Sequence, residues 1–280
     1  MRPWQWSKNL LLFAALLFAR KYTDADAIAA AGAGFALFTL SAGCLYLLND
    51  LLDIERDRMH PEKRLRPIAA GIVPTGLALV VGCIGIAASI AMGFLLNWPF
   101  GFGLLTYVGL HLAYSVALKH LVIIDIMTIA FGFVVRAASG ALVIGVAISP
   151  WLYLCTFLAA LFLAVNKRRA EVRDVDALPD HRPVLNQYTP EFLRTMTSVT
   201  TGAALMAYAL YTFSAENLPD SRLMMLTIPP VMYGMLRYVY LVEVHGHGEA
   251  PDRVIYQDSG ILASIAIWLA TVFVVLQVSP

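Results

Sequence analysis

Asn49, Asp53 and Asp57 recur at every fourth position, a spacing that lays them along one face of a helix. Asp50 joins that face three residues before Asp53, and Tyr46 sits one turn earlier. Stacked carboxylates repel unless a cation lies between them, and the negative end of a helix dipole worsens the repulsion. Oxygen ligands on flexible acids suit Mg2+, which keeps several waters and binds through few carboxylates plus substrate phosphates. Asn49, Asp50, Asp53 and Asp57 are therefore the candidate metal ligands. Mg2+ is the candidate ion, with Mn2+ as its substitute, and a diphosphate is the ligand class this implies. Lys63, Arg64 and Arg66 follow, punctuated by Pro61 and Pro67, and are placed to meet phosphate oxygens that a metal leaves uncovered. The plain alternative is a solvated loop with internal ion pairs, which the shared helical face argues against.

A second charged stretch, Lys167-Arg168-Arg169-Ala170-Glu171-Val172-Arg173, follows a long apolar run. Two readings stand side by side: attraction to anionic lipid head groups, or a second phosphate-binding wall. Asp174, Asp176 and Asp180 come next, but Pro179 interrupts any helical face, and no second metal site is assigned to them. His245 and His247 lack a third ligand and read as loop. Arg2 and Lys8 flank Trp4 and Trp6, which makes either an interfacial anchor or a pair of cations for an acidic ligand. Arg136 lies inside an apolar run, eleven residues after Asp125. At 1.5 Å per residue the two stand roughly 16 Å apart and cannot pair directly. Both are expected to face a wet cavity with Lys119 near its mouth; a structural pairing of Arg136 with another helix is the alternative. There is no Ser-His-Asp or Cys-His arrangement, and Cys44, Cys83 and Cys155 lie in apolar runs as packing residues.

The elements that carry these residues are apolar helices. The chain of 280 residues is 59% hydrophobic and 14% charged, against about 25% charged in ordinary soluble domains. Unbroken apolar runs favour helices over the alternating strands of a membrane barrel. Nine spans are predicted, approximately Lys8–Phe18, Ala27–Leu48, Thr75–Leu96, Pro99–Leu118, Leu121–Ile144, Trp151–Val165, Phe192–Phe213, Arg222–Val244 and Gln257–Val278. The first is expected to be retained, since Arg20-Lys21 stands where a signal peptide would place small residues. With alternating spans, fourteen Lys and Arg fall on one side and three on the other, so the N-terminus and both charged stretches are predicted to be cytoplasmic. The expectation is an all-α polytopic protein of the cell (inner) membrane, one domain over residues 1–280, with its active-site cavity on the cytoplasmic side.

Asn49-Asp50-x-x-Asp53-x-x-x-Asp57 followed by His60-Pro61-x-Lys63-x-x-Arg66-Pro67, after the second of nine helices, resembles the UbiA superfamily of intramembrane prenyltransferase-like enzymes. Lys119, Asp125 and Arg136 are similar to its fourth and fifth helices. Arg-Pro-Trp-Gln-Trp-Ser-Lys-Asn at the start, the first charged loop, and Asn-Lys-Arg-Arg-Ala-Glu with His-Arg-Pro-Val-Leu-Asn-Gln-Tyr-Thr-Pro after the sixth helix are most like the branch of decaprenyl-phosphate phosphoribosyltransferases. Typical aromatic prenyltransferases carry a second Asp-rich motif where this chain has Lys167 to Glu171. The resemblance implies Mg2+-dependent transfer of 5-phosphoribose from phosphoribosyl diphosphate to a polyprenyl phosphate, with release of diphosphate, in supply of a pentose donor for the cell envelope. On that reading Asp53, Asp57, Lys63 and Lys167 are catalytic. Arg66 joins Lys63 on the diphosphate, and Arg168 and Glu171 join Lys167 on the 5-phosphate and ribose. Arg2, Lys8 and Lys119 are candidates for the acceptor phosphate, Tyr46 and Tyr188 line the site, and Arg136 belongs to the substrate-binding set. The partners are the two substrates and the bilayer, with no nucleic acid, and a homo-oligomer is left open. Prenyl transfer to an aromatic acceptor is the first alternative, and a transporter, which would show broken helices near the midplane, is the second.

Overall fold

The computed structural model describes residues 3–59, 63–173, 183–215, 218, 221–245 and 251–278. Arg2, His60, Pro61, Asp174, Asp176, Pro179, Asp180 and His247 lie outside the described residues. The described residues are helical with short connections, and no strand occurs among them. A 3-10 segment, Pro3–Phe13, runs into α1 (Ala14–Phe18). It is followed by α2 (Ala25–Leu52), α3 (Ile54–Met59), α4 (Thr75–Leu96), α5 (Trp98–Val116) and α6 (Ile124–Val143). These form one compact unit, which runs through residue 148. The second unit holds α7 (Pro150–Arg173), α8 (Pro190–Ser214), α9 (Ile228–His245), α10 (Pro251–Gln257) and α11 (Ser259–Val278).

Each of the nine predicted apolar segments is helical over most of its range. Five of the helices, α2, α4, α6, α7 and α11, are long and apolar enough to cross a membrane, which makes the chain a multi-pass membrane protein. The expected sixth span ends at Val165, whereas α7 continues to Arg173. Ala, Arg, Lys and Glu are strong helix formers, so the charged run extends the helix beyond its apolar part. The last expected span begins at Gln257, but the chain breaks at Asp258. That carboxylate accepts from the Ile261 amide at 2.9 Å and pairs with Arg237 at 2.9 Å. The guanidinium holds the Asp258 carboxyl below the usual carboxylate range, so it caps α11 as an anion.

In the first unit Phe38 stacks obliquely on Phe100 and Tyr107, with ring centroids 5.8 and 5.0 Å apart. Close helix approach depends on small residues. Ser41 on α2 and Ser89 on α4 share a hydrogen bond of 2.6 Å, the interhelical contact expected where lipid supplies no water. A Cβ on Gly140 of α6 would fall 2.1 Å from the Leu12 carbonyl oxygen. The N-terminal 3-10 segment therefore lies directly on α6, and Asn9 ties it to α2 by donating to Thr39 Oγ1 at 3.1 Å. The second unit packs Phe162 edge-on to Tyr238 at 5.4 Å. It also ties three of its elements through Tyr208, which accepts from Trp268 Nε1 at 2.6 Å and bonds Thr227 Oγ1 at 2.6 Å.

Gly140→Ala, whose methyl has no room against backbone, is expected to destabilise by about 3 kcal/mol, read as a lowered unfolding temperature in detergent. Gly109→Ala, where nothing lies within 4 Å, should not lower it.

Candidate active site

Asp53 ends α2, with φ −99° and ψ 10°. Its amide still donates to the Asn49 carbonyl at 3.0 Å, and its carbonyl accepts from the Asp57 amide at 2.8 Å. The helical ladder thus crosses the break into α3, and the predicted spacing of Asn49, Asp53 and Asp57 survives it. The three side chains nevertheless divide into two groups. Asn49 Nδ2 donates to Asp53 Oδ2 at 3.0 Å, Ser115 Oγ donates to Asn49 Oδ1 at 3.3 Å, and Lys119 Nζ lies 3.8 Å from Asp53 Oδ1. Asp57 is only 3% exposed and pairs with Arg66 at 2.5 Å, while the same Arg66 nitrogen reaches Asp50 at 3.2 Å.

The first group opens onto a pocket of about 380 Å³ bordered by Asp53, Glu55, Arg56, Ser115, Lys119 and His120. Lys119 is presented by a short 3-10 turn, Leu118–His120, after which Ile123 takes φ 70°. A β-branched residue in that region carries strain of order 1–3 kcal/mol, borne here where the chain turns from the lysine into α6. Ser115, Glu55, Arg56 and His120 were not singled out from sequence. Ser115 stands one turn before Lys119, and that spacing was the available signal.

The other expected residues are spread through the fold. Lys63 is exposed in the turn Lys63–Leu65, and Tyr46 is half-buried on α2, one turn before Asn49. Lys8 is half-buried in the N-terminal segment. Arg136 and Asp125 do not face a wet cavity: Asp125 is 0% and Arg136 4% exposed. Arg136 Nη2 donates to Tyr107 Oη at 2.7 Å, and its guanidinium lies over the rings of Tyr107 and Phe133 at 4.8 and 5.2 Å. Aromatic faces hold the cation there, and its Nε has no hydrogen-bond partner. In the second unit Arg168, 0% exposed, pairs closely with Glu171, and Lys167 Nζ lies 3.9 Å from the same carboxylate. Tyr188 is buried and stacks on Phe192 at 6.1 Å.

Among the described residues no three His, Cys, Asp or Glu side chains converge as a preformed metal cage. The donor set at the end of α2 is all hard oxygen, with Asp53 at the pocket wall and Asn49 against it. That set fits a Mg2+ ion whose coordination is completed by substrate phosphate and water.

The model of the UbiA prenyltransferase family matches residues 10–256. The chain belongs to that family. It is 34% identical to the decaprenyl-phosphate phosphoribosyltransferase of Corynebacterium glutamicum, over 100% of this chain and 86% of that protein. It is 32% identical to the protein of the same name from Mycolicibacterium smegmatis, over 97% of this chain and 89% of that one. Among solved structures, a UbiA homolog from Archaeoglobus fulgidus bound to DMAPP and Mg2+ superposes with a TM-score of 0.73 at 19% identity, covering 99% of this chain and 97% of that one. The apo UbiA homolog from Aeropyrum pernix K1 gives 0.72 at 18%, with 98% of each covered. The UbiA fold thus extends over nearly the whole chain.

Arg66→Ala leaves the buried Asp57 carboxylate without its counter-ion and is expected to destabilise by roughly 3 kcal/mol, read from thermal unfolding. Lys63→Ala, at an exposed turn, should change stability by less than about 0.5 kcal/mol.

Proposed function

We propose that this UbiA-family protein transfers 5-phosphoribose from phosphoribosyl diphosphate to a polyprenyl phosphate of the decaprenyl type. The bond from C1 to the diphosphate oxygen breaks, diphosphate leaves with the electron pair, and an oxygen of the lipid phosphate forms the new bond to C1. Attack opposite the leaving group inverts C1. A phosphate monoester carries charge at neutral pH, its second pKa lying near 6, so the acceptor needs no general base. The carrying observation is near full-length identity of about one third to proteins named for this transfer. The basic pair Lys167 and Arg168 supports it, since a diphosphate, a 5-phosphate and a lipid phosphate together call for more cations than one prenyl diphosphate does.

On this reading Asn49, Asp53 and Asp57, with Asp50 in support, hold Mg2+, which when bound supplies positive charge to the departing diphosphate. Lys119 stands 3.8 Å from Asp53 and would be placed to offer its ammonium to a phosphate if that carboxylate held the metal. Arg66 holds Asp57 and Asp50 in place and, with Lys63, offers donors to diphosphate oxygens. Lys167, Arg168 and Glu171 serve the 5-phosphate and ribose. Arg2 and Lys8 are left to the acceptor phosphate, with Tyr46 and Tyr188 lining the site. Fixed cations aimed at the leaving group favour the transition state over the ground state. The same reading takes the protein as one functional domain of nine spans, with the Lys- and Arg-rich ends of its helices, the N-terminus and the chemistry at the cytoplasmic face.

Purified protein given phosphoribosyl diphosphate labelled at the 5-phosphate should move label into the lipid extract when polyprenyl phosphate is present. Parallel incubation with prenyl diphosphate and 4-hydroxybenzoate should yield no product; the reverse outcome would assign aromatic prenyl transfer instead. Asp53→Ala should lower label transfer by roughly a hundredfold or more with an unchanged unfolding temperature, and full turnover in that variant would remove the metal assignment.

A further inference from the structure

The basic run of α7 does not form one wall. Lys167 and Arg168 both engage Glu171. Arg169 and Arg173, four residues apart and so stacked on one face, instead border a separate pocket of about 260 Å³ with Arg194 of α8 and Glu243 of α9. Arg169, its side chain 9% exposed, pairs closely with Glu243, and Arg194 Nη2 lies 3.7 Å from the other oxygen of that carboxylate. Arg173 Nη1 donates to the Val242 carbonyl at 2.9 Å. Two guanidinium groups, Arg169 and Arg194, therefore share the Glu243 carboxylate and a third, Arg173, borders the same pocket, so that among the described residues lining it positive charge exceeds negative, which an added anion relieves. Carboxylate and carbonyl contacts hold the guanidinium groups before any ligand arrives, so little ordering is needed on binding.

The position narrows the ligand. α7 is a candidate membrane span, and the pocket gathers the end of α7, the first turns of α8 and the last of α9. Such helix ends lie where the apolar core gives way to head groups. Val172 and Pro190 add apolar lining beside the arginines. We propose that this pocket binds the phosphate of an anionic phospholipid head group, apart from the residues assigned to phosphoribosyl transfer. Guanidinium forks match phosphate oxygens in paired hydrogen bonds, and basic pockets between membrane helices take head groups of this kind. Free phosphate offers the same oxygens but has no use for the apolar lining.

The test is binding to the purified protein in neutral detergent, by native mass spectrometry and by the shift of unfolding temperature. The probes are phosphatidylglycerol, phosphatidylcholine and inorganic phosphate. Phosphatidylglycerol should bind at least tenfold more tightly than phosphatidylcholine, and inorganic phosphate should not compete with it. Arg194→Gln should weaken phosphatidylglycerol roughly fivefold, and the Arg169→Gln, Arg194→Gln double variant should lose the preference. Arg194 has a side chain 70% exposed, so the single variant carries the test if the double does not fold. Equal binding of the two lipids, full preference in Arg194→Gln, or displacement by inorganic phosphate would each overturn the assignment. Neither substrate of the proposed transfer is present, so the result stands independently of that reaction.

Discussion

Carboxylates at the C-terminal end of an apolar helix are held against two unfavourable fields, their mutual repulsion and the negative end of the helix dipole. The first unit meets both with cations from elsewhere in the chain. Arg66 returns from beyond α3 to clamp Asp50 and Asp57, and Lys119 reaches Asp53 from the turn after α5. Because Asp57 is almost wholly buried, its pairing is structural as well as electrostatic: an unpaired charge at that depth would unfold the loop before it bound anything. Asp53, at the pocket wall, is held more loosely and remains available to a ligand. The division between a clamped pair and an available carboxylate organises the site.

The same economy of charge governs the second unit. One helix carries Lys167, Arg168, Arg169 and Arg173, and one acid on its own surface, Glu171, engages the first two. Glu243, contributed by α9, takes Arg169 and Arg194. A run that is uniform in composition is therefore divided between two acids on two helices, and its two faces serve different surroundings.

Inside the units, a few polar groups bridge separate elements: Ser41 with Ser89, Asn9 with Thr39, and Tyr208 with both Trp268 and Thr227. Each contact fixes one helix against another where apolar packing alone would let them slide. Arg136 belongs to this interior. Its charge rests on the rings of Tyr107 and Phe133, which explains how an arginine twelve residues beyond the start of α6 is accommodated without a cavity.

Hydropathy and residue spacing determined the helical class, the approximate range of each apolar segment, and the group of acids at the end of α2, because each depends on neighbours within a few residues along the chain. The turn-by-turn spacing of Asn49, Asp53 and Asp57 was legible for that reason. Which acid is buried, which is open to the pocket, and which base each one meets were decided by contacts between residues far apart in sequence. Arg66 and Asp57 are nine residues apart across a turn, Ser115 and Asn49 sixty-six, and Arg169 and Glu243 seventy-four. Burial of Asp125 and Arg136 likewise depends on what other helices place around them. A one-dimensional pattern records that charges are present; only packing sets their distances and their exposure to water, and those two quantities decide what a charge can do.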